Sequence, residues 1–302
     1  MQSYLGSLFI FVAAVCWGFL GPMGRIAMDE GLSPTEVAFW RAAFACCFFL
    51  LHAARARTLK VRSVADLGAF ALFGLVSIAS FFACYQYAVQ NGGSALSSVL
   101  LYTAPAWVAV FSRIIFGEAF TAVKLAAIGM ALAGVICISF SGTGASPPPS
   151  AAGQSFPLAG VLFGLLSGLL YSTHYIFSKN YLKYYTTFTL YGFSMIFAVL
   201  AMLPFVSHFP GTPAAWGAVL FLAFICTYTA YWAYCEGLKR LAPTKAAVLC
   251  TLEPVIATAL AWWMWGERFT GVGWVGAALV IGAVLVLVLG PGKETAEAEP
   301  GR

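Results

Sequence analysis

Apolar residues are laid along this chain in long blocks, with polar residues gathered in the short gaps between them. Blocks such as Leu5 to Cys16 and Gly276 to Gly290, widened by small and aromatic neighbours, reach the ~20 residues that a bilayer-crossing helix requires. Read at that length, the pattern predicts ten spans, at about 4–27, 34–54, 66–89, 93–115, 120–141, 157–179, 186–207, 213–236, 242–264 and 270–290. Between the fifth and sixth lies SGTGASPPPSAAGQSFP, a Gly/Ser/Pro stretch without a charge, which predicts an extended external linker over 142–156. It divides the chain into a first unit, 1–141, and a second, 157–290, each of five spans. The polar end GPGKETAEAEPGR supplies a tail over 291–302.

Composition turns this pattern into a class. Of 302 residues 61% are apolar and 9% charged, whereas an ordinary soluble domain carries about a quarter charged residues. So few charges cannot cover a soluble surface, and the expected fold is an all-α integral membrane protein. The first block has no basic start and no small-x-small cleavage site, which marks it as a retained span rather than a removed signal. All eight cysteines fall inside or at the ends of apolar runs without a C-x-x-C pair, and are expected as free thiols.

The formal charge of +5 invites a nucleic-acid partner, but in such a chain the location of charges matters more than their sum. With the N-terminus inside, 13 of the 16 Lys and Arg fall on inside loops and the tail, and only Arg25, Arg41 and Arg268 lie elsewhere. That bias predicts a multi-pass protein of the cell inner membrane with both termini cytoplasmic, a lipid bilayer as its partner and no nucleic acid.

Shifted by 149 residues, TAPAWVAVFSRIIFGEAFT (103–121) lies under LEPVIATALAWWMWGERFT (252–270) without a gap. Pro105 meets Pro254, Gly117-Glu118 meets Gly266-Glu267, and upstream Tyr85 meets Tyr234. A shift of 154 pairs Gly6 with Gly160, Phe9 with Phe163, Arg25 with Lys179 and Phe39 with Phe193. Because each copy has an odd number of spans, the second enters the membrane from the opposite side, placing Glu118 near the cytoplasm and Glu267 near the exterior. Ten helices in two inverted five-helix repeats are the architecture of many secondary transporters, with substrate held near the midplane between the repeats.

Trp17-Gly18 in the first span, Phe39-x-Arg41 in the second, and the P-x11-G-E stretches closing the fourth and ninth resemble the EamA-type transporters of the drug/metabolite transporter superfamily. The resemblance covers nearly the whole chain, most specifically 85–121 and 231–270. It implies a carrier of amino acids or other small metabolites. It also implies that a Glu before Pro at this place recurs whatever the substrate.

Ionisable and kinked positions at membrane depth supply the candidate site. Glu253 costs about 2.5–3.5 kcal/mol at a span centre if charged and unpaired, so it must be protonated, paired or wet. A gating hydrogen bond, a substrate contact and a coupling proton are all open to it. Arg41 either snorkels to the interface or aims its fork at a substrate carboxylate or an acid. His174 is read as a helix-contact hydrogen bond or as a substrate or proton group. Trp17, Tyr85, Tyr102, Tyr171, Tyr175, Tyr228 and Tyr231 offer rings and hydroxyls for an amine-bearing or aromatic solute. Pro105 and Pro254 are expected to kink their spans as hinges, freeing the carbonyls of Leu101 and Cys250 toward a central cavity. Gly160, Gly164 and Gly168 form a flat face for close helix approach, and Arg25 and Lys179 act as interface anchors.

No H-E-x-x-H, P-loop, G-x-S-x-G or paired-acid magnesium motif occurs, so no catalytic residue, metal or cofactor is expected. The expectation is a secondary active transporter, not an enzyme. It moves a small organic metabolite, an amino acid or related zwitterion, by alternating access. Export is taken as the working direction, although an inverted repeat can operate both ways. A channel and a membrane-embedded enzyme are the alternatives, and a homodimer and a coupling proton stay open as partners.

Overall fold

Hydrocarbon offers no water to a backbone N–H or C=O, so a chain of this composition satisfies its main chain within helices. The protein's computed structural model describes residues 2–141, 158–266 and 270–289, the side chains of 93–95, 141 and 265 excepted. Every regular element among them is helical. Ten helical runs are long and apolar enough to cross a membrane: α1 (Gln2–Asp29), α2 (Pro34–Arg55), α3 (Val64–Gly92), α4 (Leu96–Phe116), α5 (Ala122–Phe140), α6 (Leu158–Tyr181), α7 (Thr187–Phe205), α8 (Pro213–Arg240), α9 (Pro243–Met264) and α10 (Gly271–Leu289). The ten spans agree with the apolar blocks. The linker 142–156, the tail 291–302 and Glu267 lie outside the described residues.

Packing repeats as the sequence does. α3 runs along α6 and α1 along α8, while α4 meets α6 and α9 meets α1. α2 lies on α7 and α5 on α10. Replacing each span by the one five places away turns this set of neighbours into itself. Local irregularities repeat too. A π-helical stretch at Gly74–Ser80 in α3 has its counterpart at Phe224–Thr229 in α8. α4 and α9 end on Gly117 (φ 69) and Gly266 (φ 68), left-handed positions that only glycine takes at little cost.

The small residues of α6 do what a flat helix face does. A Cβ on Gly160 would come within 2.9 Å of the Gly92 backbone, and one on Gly168 within 2.6 Å of the Leu100 carbonyl oxygen. Between these contacts the chain reverses: Tyr85 Oη and Ser98 Oγ are 3.3 Å apart, so α3 and α4 fold back on each other beside α6.

Lys179 differs from its expected role as an interface anchor. It is 8% exposed, and its ammonium donates to the carbonyls of Leu238 and Leu241, each at 3.0 Å. A helix C-terminus presents unpaired carbonyls and partial negative charge. The lysine therefore caps α8 from inside the bundle instead of reaching for the membrane surface.

Candidate functional site

Both proline positions are resolved as helix starts rather than simple kinks. The helix of α4 is interrupted at Tyr102–Thr103 and resumes at Ala104, with Pro105 in its first turn; that of α9 is interrupted at Thr251 and resumes at Leu252, with Pro254 in its first turn. A first-turn N–H has no intrahelical acceptor, so proline loses nothing there. Each interruption is closed by a threonine hydroxyl donating three residues back, Thr103 to the Leu100 carbonyl and Thr251 to that of Val248, both at 2.6 Å. The carbonyl of Leu101, expected to face a cavity, instead lies against Gly168, 3.1 Å from where a Cβ there would sit. Shape complementarity with α6 takes that space.

The two interruptions bring Tyr102 and Glu253 together. The Tyr102 and Glu253 side chains interact electrostatically, and the positive charge of Arg41 acts on the same carboxyl. Arg41 also feels Tyr231, and Glu253 interacts electrostatically with Tyr85 and Tyr171. Six spans, α2, α3, α4, α6, α8 and α9, thus converge on one acid, one base and a set of phenols. Arg41 does not snorkel; its guanidinium lies inside the bundle, 4.6 Å from the centre of the Phe82 ring.

Arg41, Tyr85, Tyr171, Tyr231 and Glu253 are each half-buried. The charges and phenols of these five side chains act on one another, which places them in one cluster. Trp17, Tyr175 and His174 stand one layer behind. Trp17 meets Tyr231 edge-on at 5.8 Å, Tyr175 meets Tyr171 edge-on at 5.6 Å, and the His174 ring lies parallel to Tyr231 at 6.0 Å. His174 Nε2 sits 2.6 Å from the carbonyl of Ser77, in the π-helical stretch of α3. That is the helix contact expected of a lone membrane histidine. Tyr228 lies apart, its hydroxyl 2.5 Å from His52 Nδ1.

Two further sets of contacts, without a part in the expected site, tie the ends of the bundle. At one end of the bundle, the buried Glu36 at the start of α2 accepts from the backbone N–H groups of Ser207 and His208 at 3.0 and 2.7 Å, with His208 Nδ1 at 3.0 Å. It also completes a capping box with Ser33. The signal was present, since S-x-x-E directly before an apolar run is a helix-start signature. At the other end Thr189 Oγ1, in the first turn of α7, donates to the Thr58 carbonyl of the α2–α3 loop at 2.7 Å, and Tyr185, just before α7, donates to Asp66 in the first turn of α3 at 2.7 Å. Burial, with the adjoining Asp66 carboxylate, pushes the Tyr185 phenol above its ordinary value and keeps it a donor.

Ten apolar helices around an acid–base cluster define a multi-pass membrane protein with a polar centre, the construction of a transporter. The chain belongs to the EamA-like transporter family, whose model matches residues 4–140 and again 158–289. An uncharacterized transporter of Archaeoglobus fulgidus is 26% identical over 93% of this chain and 95% of its own. The uncharacterized transporter YwfM of Bacillus subtilis is 26% identical over 99% of both chains, and the uncharacterized inner membrane transporter YicL of Salmonella typhimurium 24% over 94% and 95%. One crystal structure superposes with a TM-score of 0.78 at 20% identity, covering 94% of this chain and 98% of that one, which shows a shared fold. The protein is a membrane transporter and not an enzyme.

Proposed function

We propose that the chain is a secondary carrier for an amino acid or a related zwitterion, exporting it across the inner membrane by alternating access between inverted repeats. The observation that carries this reading is the pair of opposite charges, Arg41 and Glu253, each acting on the other among tyrosine hydroxyls at half-buried positions of the spans. Charges taken out of water are costly unless compensated. Here each lies within the field of the other. A zwitterion beside them offers a carboxylate to the planar guanidinium fork and an ammonium to the acid and the phenol rings. A neutral solute would leave both charges without new partners.

The recurrence of helix neighbours, π-helical stretches and terminal glycines at a five-span offset supports two copies of one unit. An odd number of crossings per copy supports their inversion, and the Lys and Arg bias supports cytoplasmic termini. The closures at the two ends, built from equivalent elements, are what a rocking cycle would break in turn.

The test is counterflow in proteoliposomes. Vesicles loaded with unlabelled amino acids are expected to accumulate a labelled one transiently and saturably. Ohmic conductance, or an absence of exchange and of thermal stabilisation across amino acids, amines and carboxylates, would overturn the reading.

A further inference from the structure

A pocket of about 440 Å³ lies away from the acid–base cluster, between the second half of α2 and the π-helical stretch of α8. Its lining changes character along its length. Phe48, Leu51 and Phe224 form an apolar wall, His52 and Tyr228 a bridged polar floor, and Arg55 a basic lip at the last turn of α2. Leu51 and Phe224 are 53% and 48% exposed. On a membrane-spanning surface such residues face acyl chains and not water. Among the described residues no acidic side chain lines the pocket or pairs with Arg55, which stands exposed at its rim.

We propose that this pocket binds an anionic phospholipid of the cytoplasmic leaflet, its phosphate on Arg55 and one acyl chain against Phe48, Leu51 and Phe224. The assignment to that leaflet follows from the Lys and Arg bias, which puts the Arg55 end of α2 inside, where anionic lipid accumulates and basic pockets between helices take lipid headgroups. Charge complementarity selects the headgroup. The apolar wall at membrane depth selects a lipid over a water-borne anion, which would gain nothing from it. Occupancy has a route to the transport site: Tyr228 belongs to the irregular stretch of α8 that leads, within one turn, to Tyr231.

Native mass spectrometry of the full-length purified protein, titrated with phosphatidylglycerol or with phosphatidylcholine of the same acyl chains, tests this directly. Phosphatidylglycerol is expected to bind more tightly. Arg55→Gln should weaken it about fivefold, the factor that one surface basic residue contributes. Arg55→Lys should retain most of the binding, and Lys60→Gln, in the adjoining loop, should not change it. Leu51→Asn should weaken both lipids alike. The proposal is overturned if Arg55→Gln binds phosphatidylglycerol as the parent does, if the two lipids bind equally, or if inorganic phosphate stabilises the parent against heat as phosphatidylglycerol does. Because binding is read without transport, its failure leaves the carrier reading untouched, and the reverse holds.

Discussion

The interruption in α4 and the interruption in α9 share a backbone and differ in chemistry. Both place a proline in the first turn of the resumed helix, both are closed by a threonine hydroxyl, and both helices end on a left-handed glycine. At matched positions, though, α4 carries Tyr102 and Ala104 where α9 carries Thr251 and Glu253. The interacting pair at the centre, Tyr102 with Glu253, therefore takes one member from each five-span unit. Geometry recurs while the chemistry differs, so a site built from both spans lacks the symmetry of their backbones. The zwitterion of the proposed function has two unlike ends, and such an unsymmetrical site would suit it.

The strongest way to break the comparison is to make the copies alike in the wrong direction. Ala104 is 1% exposed, and Ala104→Glu would place a second acid in packed surroundings. Lacking space, it bears at least the ~2.5–3.5 kcal/mol insertion cost of a charge at a span centre, plus overpacking of about 1–3 kcal/mol. The expected outcome is a severe loss of folded, monodisperse protein in size-exclusion chromatography. Normal recovery would mean that Ala104 borders open space.

Next in size is removal of the natural acid. Glu253→Gln is close in shape but deletes the charge, leaving Arg41 uncompensated. A hydrogen bond to a charged group is worth about 1.5–3 kcal/mol, so counterflow affinity should fall roughly tenfold to hundredfold. Arg41→Gln should fall by a similar factor. The double variant should lose less than the sum of the two, since groups coupled through one field are non-additive. Strict additivity in affinity would separate the two charges and sink the shared site.

How much of this was legible follows the same division. The ten spans were written in block lengths, and the repeat in Pro and Gly-Glu at fixed spacing. Arg41 and Glu253 stood out because charges at membrane depth are rare. Their meeting with Tyr102 was legible only as a group of candidates, since which faces of six helices converge is decided by packing. The π-helical stretches left no mark in residue type, and the inward aim of Lys179 depends on where α8 ends, a tertiary fact. Glu36 was legible as a cap but not as a closure, because its partners Ser207 and His208 lie some 170 residues away in sequence and meet it only in the fold.

The smallest effect is expected at the prolines themselves, and it bears on whether they are hinges. Each occupies a first-turn position where an alanine N–H would be equally unpaired, and the Thr103 and Thr251 hydroxyls hold the interruptions independently. Pro105→Ala and Pro254→Ala should each cost about 0.4–1 kcal/mol, chiefly through the freer unfolded chain. Counterflow should stay within roughly twofold of the parent. If either variant instead loses transport while keeping its melting temperature, the fixed φ of proline is part of the moving element. If only Pro254→Ala does so, the division between the copies extends from side-chain chemistry into the backbone, because the ninth span would then bend where the fourth merely breaks.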